Sequence, residues 1–185
     1  DLPKSRPAHT VRVRPFYLGV HEVTESQWRS VMGMGAADAA SADLPAAGIS
    51  WDDAQAFAGK LNARVPGGGF RLPSETEWEF AARAGAGTDN AFDLRAARPV
   101  GRGGANPLGI HDLFGNVWEW CSTLDRPYPY HPGDGRESAQ APGLRILRGG
   151  GYFDAPEWIG PALRHSERPG RKLPWVGFRI ARDAR

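Results

Sequence analysis

A chain of 185 residues with 41% apolar residues and seven Trp has material for one compact core, so a single domain over residues 1–185 is expected. The 24 Gly and 16 Pro make it loop-rich; no run approaches the ~18 apolar residues of a membrane span, and the start does not read as a secretory leader. One cysteine, Cys121, excludes an internal disulfide framework or a two-thiolate metal site, and a net charge of +2 with no dense Lys/Arg run argues against a nucleic-acid partner.

That small net charge conceals a split. Arg145 to Arg185 holds nine basic and four acidic residues, a balance of +5, and the rest of the chain sums to −3. The chain begins without Met, so a leader or upstream domain could precede it, and the residues leave the compartment unspecified.

In chain order, His9 to Val23 alternates polar and apolar residues before Pro15 and predicts two short strands around a bend. Thr24 and Gln27 form a capping box that opens a short helix with Trp28 and Val31 inward, ended by Gly33. Met34 to Gly48 reads as a loop. Ser50 and Asp53 cap a second helix whose Ala54, Phe57, Ala58 and Leu61 share one face. After the glycine turn Val65–Gly69, Phe70–Pro73 is an extended bridge to a third helix, capped by Ser74 and Glu77, buried through Trp78, Ala81 and Ala82, and stopped at Gly85. Ala86 to Gly104 is weakly patterned, with a brief strand expected at Val100. A strand through Trp118–Trp120, a surface loop from Asp125 to Pro142, and strands at Leu144–Leu147, Ala162–Arg164 and Val176–Ile180 complete the order.

The densest stretch is Asn106–Trp120, NPLGIHDLFGNVWEW. Trp118 and Trp120, two apart on a strand, point the same way, and Glu119 points to the other face. A carboxylate amid such apolar bulk requires either an ion or several donors. The Gly115–Asn116 step can take positive φ and turn carbonyls inward. With Asp112 and Glu119 that makes an oxygen cage for a hard cation; a Glu119–arginine pair is the equally simple alternative.

Six segments in order resemble one family: EVT (Glu22–Thr24), SWDDAQAF (Ser50–Phe57), RLPSETEWEFAAR (Arg71–Arg83), GIHDLFGNVWEW (Gly109–Trp120), LRGGGYF (Leu147–Phe153) and GFRIA (Gly177–Ala181). The chain resembles the formylglycine-generating enzyme, or sulfatase-modifying-factor, family over its whole length. The resemblance implies an α+β fold of the C-type lectin-like kind, with two main helices, short antiparallel strands and much loop. It implies a structural calcium at Asp112, Gly115, Val117 and Glu119, and a second calcium in a segment that is shortened here, around Asn90 to Val100.

The same resemblance implies copper(I) held by two cysteines shortly after the glycine turn. The register from Gly149–Gly151 puts Asp154 and Ile159 in those places, and Cys121 belongs to another motif. Soft Cu(I) needs thiolates, so neither copper nor copper-dependent formylglycine generation is expected. Iron-dependent sulfoxide synthases of this type use histidines from an extra helical domain. Here His9, His21, His111, His131 and His165 have no i, i+3 or i+4 spacing. A maturation enzyme without the cysteines would turn to Asp154 or Glu157 as acid/base in the groove. Retroelement-diversified variable proteins are similar too, and display varied side chains between the RGG turn and the GFR strand. In this chain that stretch is Tyr152–Val176, with Tyr152, Phe153, Asp154, Glu157, Trp158, His165, Glu167, Arg168, Arg171, Leu173 and Trp175 as ligand-binding positions for a protein or small molecule. Exposed aromatics with Arg are the stuff of interface hot spots; the alternative for a residue such as Trp158 is plain core. On the display reading, Phe153, Asp154, Glu157, His165, Glu167, Arg171 and Trp175 can be substituted together at little cost to folding.

Overall fold

A computed structural model describes residues 5–85, 95–131 and 133–184. The chain enters as irregular backbone and forms β1 (Phe16–Leu18), α1 (Glu25–Met32), α2 (Trp51–Arg64), β2 (Phe70–Arg71) and α3 (Glu75–Arg83). It then lays down β3 (Trp118–Leu124) and β4 (Arg145–Arg148), a 3-10 turn at Pro156–Trp158, and β5 (His165–Glu167), β6 (Val176–Gly177) and β7 (Ala181–Asp183). Two small sheets result, one in the order β1-β7-β2 and one in the order β5-β4-β3-β6, where β6 runs parallel to β3 and all other pairs are antiparallel.

The helix starts follow the local chemistry. Thr24, Ser50 and Ser74 each accept the backbone N–H of the residue three ahead, and Gln27, Asp53 and Glu77 each reach back to the cap N–H. Such caps satisfy donors the helix leaves orphaned, at about 1 kcal/mol each. Gly33 closes α1 in the left-handed region at φ 80°. Each helix then buries its apolar stripe: Trp28 and Phe57 stack 5.7 Å apart, with Phe178 edge-on to both. Trp118, Trp120, Leu147 and Val176 join that cluster, and Trp78, Ala81, Ala82, Leu113, Phe114, Cys121 and Ile146 form a second.

β3 is the spine. The Trp120 indole N–H donates to Ile49 O at 2.8 Å and the Trp51 indole to Cys121 O at 2.9 Å, two reciprocal bonds that tie the start of α2 to the strand. β6 can lie beside β3 only because it ends in Gly177, where a Cβ would stand 2.5 Å from Ala46 O. The 125–142 excursion is less of a surface loop than predicted. Buried Arg145 donates to the carbonyls of Ser122, Ser138, Ala139 and Ala141, and buried Arg136 to those of Pro127 and Pro129.

The weaker sequence expectations shift. Val11 and Val13 form no strand, and only β1 follows Pro15. Val100 sits in a turn, its N–H donating to Asp43 O. The strand expected at Ala162–Arg164 falls at His165–Glu167, because Pro161 leaves an N–H short and Arg148 collects the carbonyls of Pro161 and Leu163 instead. Of Val176–Ile180 only Val176–Gly177 is strand: the chain leaves β3 after Gly177, buries Phe178 and Arg179, and joins the other sheet as β7 at Ala181. Asn90–Leu94, half of the segment expected to carry a second calcium, lies outside the described residues.

Candidate functional site

The loop from Asp112 to Glu119 is fully inside the molecule. Asp112 (φ 55°), Gly115 (φ 84°) and Asn116 (φ 58°) all adopt left-handed backbone, which coils the chain tightly before β3. Glu119 is completely buried, and Arg179, 60 residues on, closes on it: Nη2 reaches Oε1 at 2.5 Å and Nε reaches Oε2 at 2.6 Å. The Trp78 indole gives the carboxylate its third donor, at Oε2 and 2.8 Å. Arg179 spends its remaining N–H groups on the carbonyls of Gly19, His111 and Asp112.

Two further carboxylates crowd this pair. Asp112 Oδ2 accepts the Gly101 N–H at 2.5 Å, while its Oδ1 is buried with no hydrogen-bond partner and has Arg98 no nearer than 3.7 Å. Glu22 is also fully buried; Asn116 Nδ2 donates to its Oε1 at 3.0 Å, and its Oε2 has no partner. Burial, reinforced by Glu119 and Asp112, holds the Glu22 carboxyl well above the usual carboxylate range.

These atoms bear on the expected calcium. Asp112 Oδ1 is an open, buried, hard oxygen of the kind an ion would take. Glu119 Oε1 accepts one hydrogen bond and keeps a lone pair; Oε2, with two donors, is saturated. Asp112 Oδ1 and the spare lone pair of Glu119 Oε1 suit a hard cation, and Arg179 already pairs with Glu119 beside them, the alternative the sequence offered. Among the described residues no three His, Cys, Asp or Glu side chains converge as a ready ligand set.

The second region is the surface between β4 and β6. Phe153, Glu157, Trp158, His165, Arg168 and Arg171 are exposed, and Trp158 is 63% exposed, which removes it from the core. Tyr152, Asp154, Glu167, Leu173 and Trp175 are half-buried. Tyr152, Phe153 and Trp175 make consecutive edge-to-face contacts at 5.3 and 5.4 Å, and His165 lies 5.6 Å from the Trp118 ring. Gly151 permits this convergence, since a Cβ there would meet Phe153 at 3.1 Å and Trp118 at 3.2 Å. Beneath the face, Arg148 and Arg164 share the buried Glu75, with Arg164 Nε 2.6 Å from its carboxylate, and so fasten the loop to α3.

The two positions in the copper-cysteine register are spoken for. Asp154 Oδ2 accepts the Trp118 indole N–H and the Gly151 N–H, both at 2.8 Å. Ile159 packs over Gly150, within 2.8 Å of where a Cβ would stand, and against the second core cluster. Burial pushes the Cys121 thiol well up, so it stays protonated and sealed inside. Asp154 is thus anchored, and the expectation that it can vary freely with its neighbours is corrected by those two hydrogen bonds. Sequence reasoning missed Glu22, Arg179 and Asn116 as partners of the loop. All three stood in quoted motifs, but nothing local shows which group meets which.

Two bent sheets, a buried carboxylate loop and a long irregular excursion define a C-type lectin-like domain of the formylglycine-generating-enzyme type. Residues 2–184 match the sulfatase-modifying factor enzyme 1-like domain, and the chain belongs to that family. It is 30% identical to the formylglycine-generating enzyme of Mycobacterium tuberculosis over 197 residues, which cover 84% of this chain and 63% of that one, less than two thirds of the relative's length. Among solved structures, Treponema denticola variable protein 1 superposes with a TM-score of 0.76 at 24% identity, covering 91% of this chain and 84% of that one. PvdO from Pseudomonas aeruginosa gives 0.76 at 23% identity, covering 99% and 86%. At these identities the likeness is one of fold.

Proposed function

We propose that this chain is a ligand- or protein-binding domain whose working face is Tyr152–Val176. The observation that carries this reading is the exposure of Phe153, Trp158, His165, Arg168 and Arg171 on a mostly irregular stretch, broken only by a 3-10 turn and the short β5, held between the buried strands β4 and β6. Loops fixed by a rigid scaffold are where recognition concentrates. The variable-protein fold likeness supports it, and diversification of the exposed positions by a retroelement belongs to the same reading. An acid/base role for Asp154 is disfavoured by its two structural hydrogen bonds, and Glu157 stands exposed on the 3-10 turn.

The test compares wild type with a variant carrying Ala at Phe153, Trp158, Arg168 and Arg171. The variant should melt like wild type and lose the partner that wild type crosslinks in extracts of its source cells. Equal capture by both would overturn the assignment of the face. Conversion of a cysteine-containing sulfatase peptide to an aldehyde, read by mass, would overturn the binding role itself.

A structural calcium at Asp112, Gly115, Val117 and Glu119 is part of the proposal. When bound, the ion supplies a fixed double positive charge that ties the loop to β3. Because such an ion binds only the folded state, chelation withdraws its binding energy from stability. Chelator should lower the melting temperature, and Glu119→Gln should do likewise; unchanged melting and metal content would remove calcium from the account.

A further inference from the structure

Outside the Tyr152–Val176 face, two recesses adjoin along α1. One, of about 540 Å³, lies between α1, α2 and residues 19–23, with Val31, Phe57, Leu61 and Ile180 on its walls. The other, of about 550 Å³, is lined by Thr24, Asp43, Val100, Gly101 and Arg102. His21, Ser26 and Gln27 line both, so one cleft runs from an apolar end to a charged one.

The fold leaves the apolar end unfilled. Val31, Leu61 and Ile180 pack against the first core cluster yet are only half-buried, and Val20 on the same wall is 53% exposed. Ser26 and Ser30, four apart on one face of α1, carry side chains too short to cover them. A concave site of this size, with apolar walls and a few polar groups at one end, is the usual form of a small-molecule site.

The charged end holds four groups with bonding capacity to spare. Asp43 and Arg102 are exposed, and among the described residues neither side chain is paired with the other or with anything else. His21 Nδ1 donates to Glu22 O at 2.6 Å, which sets the tautomer and leaves Nε2 as an acceptor. Gln27 Oε1 accepts the Thr24 N–H at 3.0 Å in the capping box, so its amide N–H groups stay open as donors. Two acceptors and two donors, one of each charged, thus line one recess. A lone anion there would be repelled by Asp43 and a lone cation by Arg102, whereas a zwitterion satisfies both.

We propose that this cleft binds a free amino acid with a bulky apolar side chain. Asp43 and His21 Nε2 take the ammonium, Arg102 and the Gln27 amide take the carboxylate, and the side chain lies against Val31, Phe57, Leu61 and Ile180. A residue inside a peptide carries neither head charge and is not a substitute. The site stands apart from the recognition face and does not depend on it.

Calorimetry on the full chain tests this with L-phenylalanine and L-leucine, set against glycine, 3-phenylpropionate and phenethylamine. Both apolar amino acids should bind one per chain, and glycine, which reaches no apolar wall, should give no measurable heat. The two singly charged analogues should bind at least about fivefold more weakly, since each loses a charge pair and its hydrogen bonds. Arg102→Gln and Asp43→Asn should melt like wild type and weaken L-phenylalanine by the same factor. Ser30→Phe, which fills the apolar end from α1, should abolish binding; if it fails to fold, the two head-group variants decide. No binding to wild type at millimolar concentration, or unchanged affinity in Arg102→Gln or Asp43→Asn, overturns the site. Equal affinity for either singly charged analogue, or for glycine, overturns the ligand class. None of these substitutions lies in Tyr152–Val176, so the result is separate from the fate of that face.

Discussion

The indole N–H of Trp118 and the carboxylate of Asp154 meet at 2.8 Å, and the same Asp154 oxygen accepts the Gly151 N–H. One side chain therefore sets the turn that aims Phe153 outward and fixes the ring beneath it. Asp154→Ala should destabilise the fold by roughly 1–3 kcal/mol, the cost of stranding partly buried donors. Asp154→Asn, which keeps an acceptor, should lose clearly less. Urea melts of both variants decide it, and equal losses would mean that charge rather than acceptance matters.

Arg179 and Glu119 form the most buried ion pair near the proposed calcium loop. Breaking such a pair from one side leaves a naked interior charge, at roughly 3–5 kcal/mol. Arg179→Met should show a loss of that order. The Glu119→Gln, Arg179→Met double variant should lose less than the two single changes added together, and a double-mutant cycle by denaturant melting reads the coupling.

Two glycines should respond oppositely to alanine. At Gly177 the new methyl would stand 2.5 Å from the Ala46 carbonyl oxygen and 3.2 Å from Val117 Cγ2, so backbone must move. A loss of at least ~1–3 kcal/mol is expected. Gly59 is exposed on α2 and has nothing within 4 Å of its Cβ position. There alanine should stabilise by roughly 0.5–1 kcal/mol, read as a higher melting temperature.

Burial pushes the Tyr128 hydroxyl up to about 12, outweighing the opposing influence of nearby Arg148. An unfolded phenol ionises near pH 10. The raised folded value means that this contribution is intact below about pH 10 and is lost as pH climbs toward 12. Wild type should thus weaken between those values more steeply than Tyr128→Phe. Denaturant melts at pH 9 and 11, with tyrosinate absorbance as the titration readout, test the sign.

What the sequence made legible was local. Thr24–Gln27, Ser50–Asp53 and Ser74–Glu77 announce helices because donor and acceptor lie within one turn, and all three caps form. The short strands were harder: β2 and β6 have two residues each, too few for any alternation to register. Long-range pairing was harder still. That Glu119 would meet Arg179, or Glu22 meet Asn116, depends on where two sheets bring the chain, and no spacing encodes it. Trp158 shows a third limit: an exposed tryptophan and a core tryptophan have the same letter, and only its 63% exposure separates them.

β4 and β6 lie on opposite flanks of β3, so the recognition stretch is a ring clasped at both ends by one strand, with β5 stapling it midway to β4. The clasp stays put when the circumference changes. Closure entropy grows only with the logarithm of length, so doubling either lobe costs about 0.6 kcal/mol. Insertions between Tyr152 and Pro161, or between Arg168 and Pro174, are therefore a cheap route to new shapes. The scaffold invites change in the reach of its face as well as in its lettering.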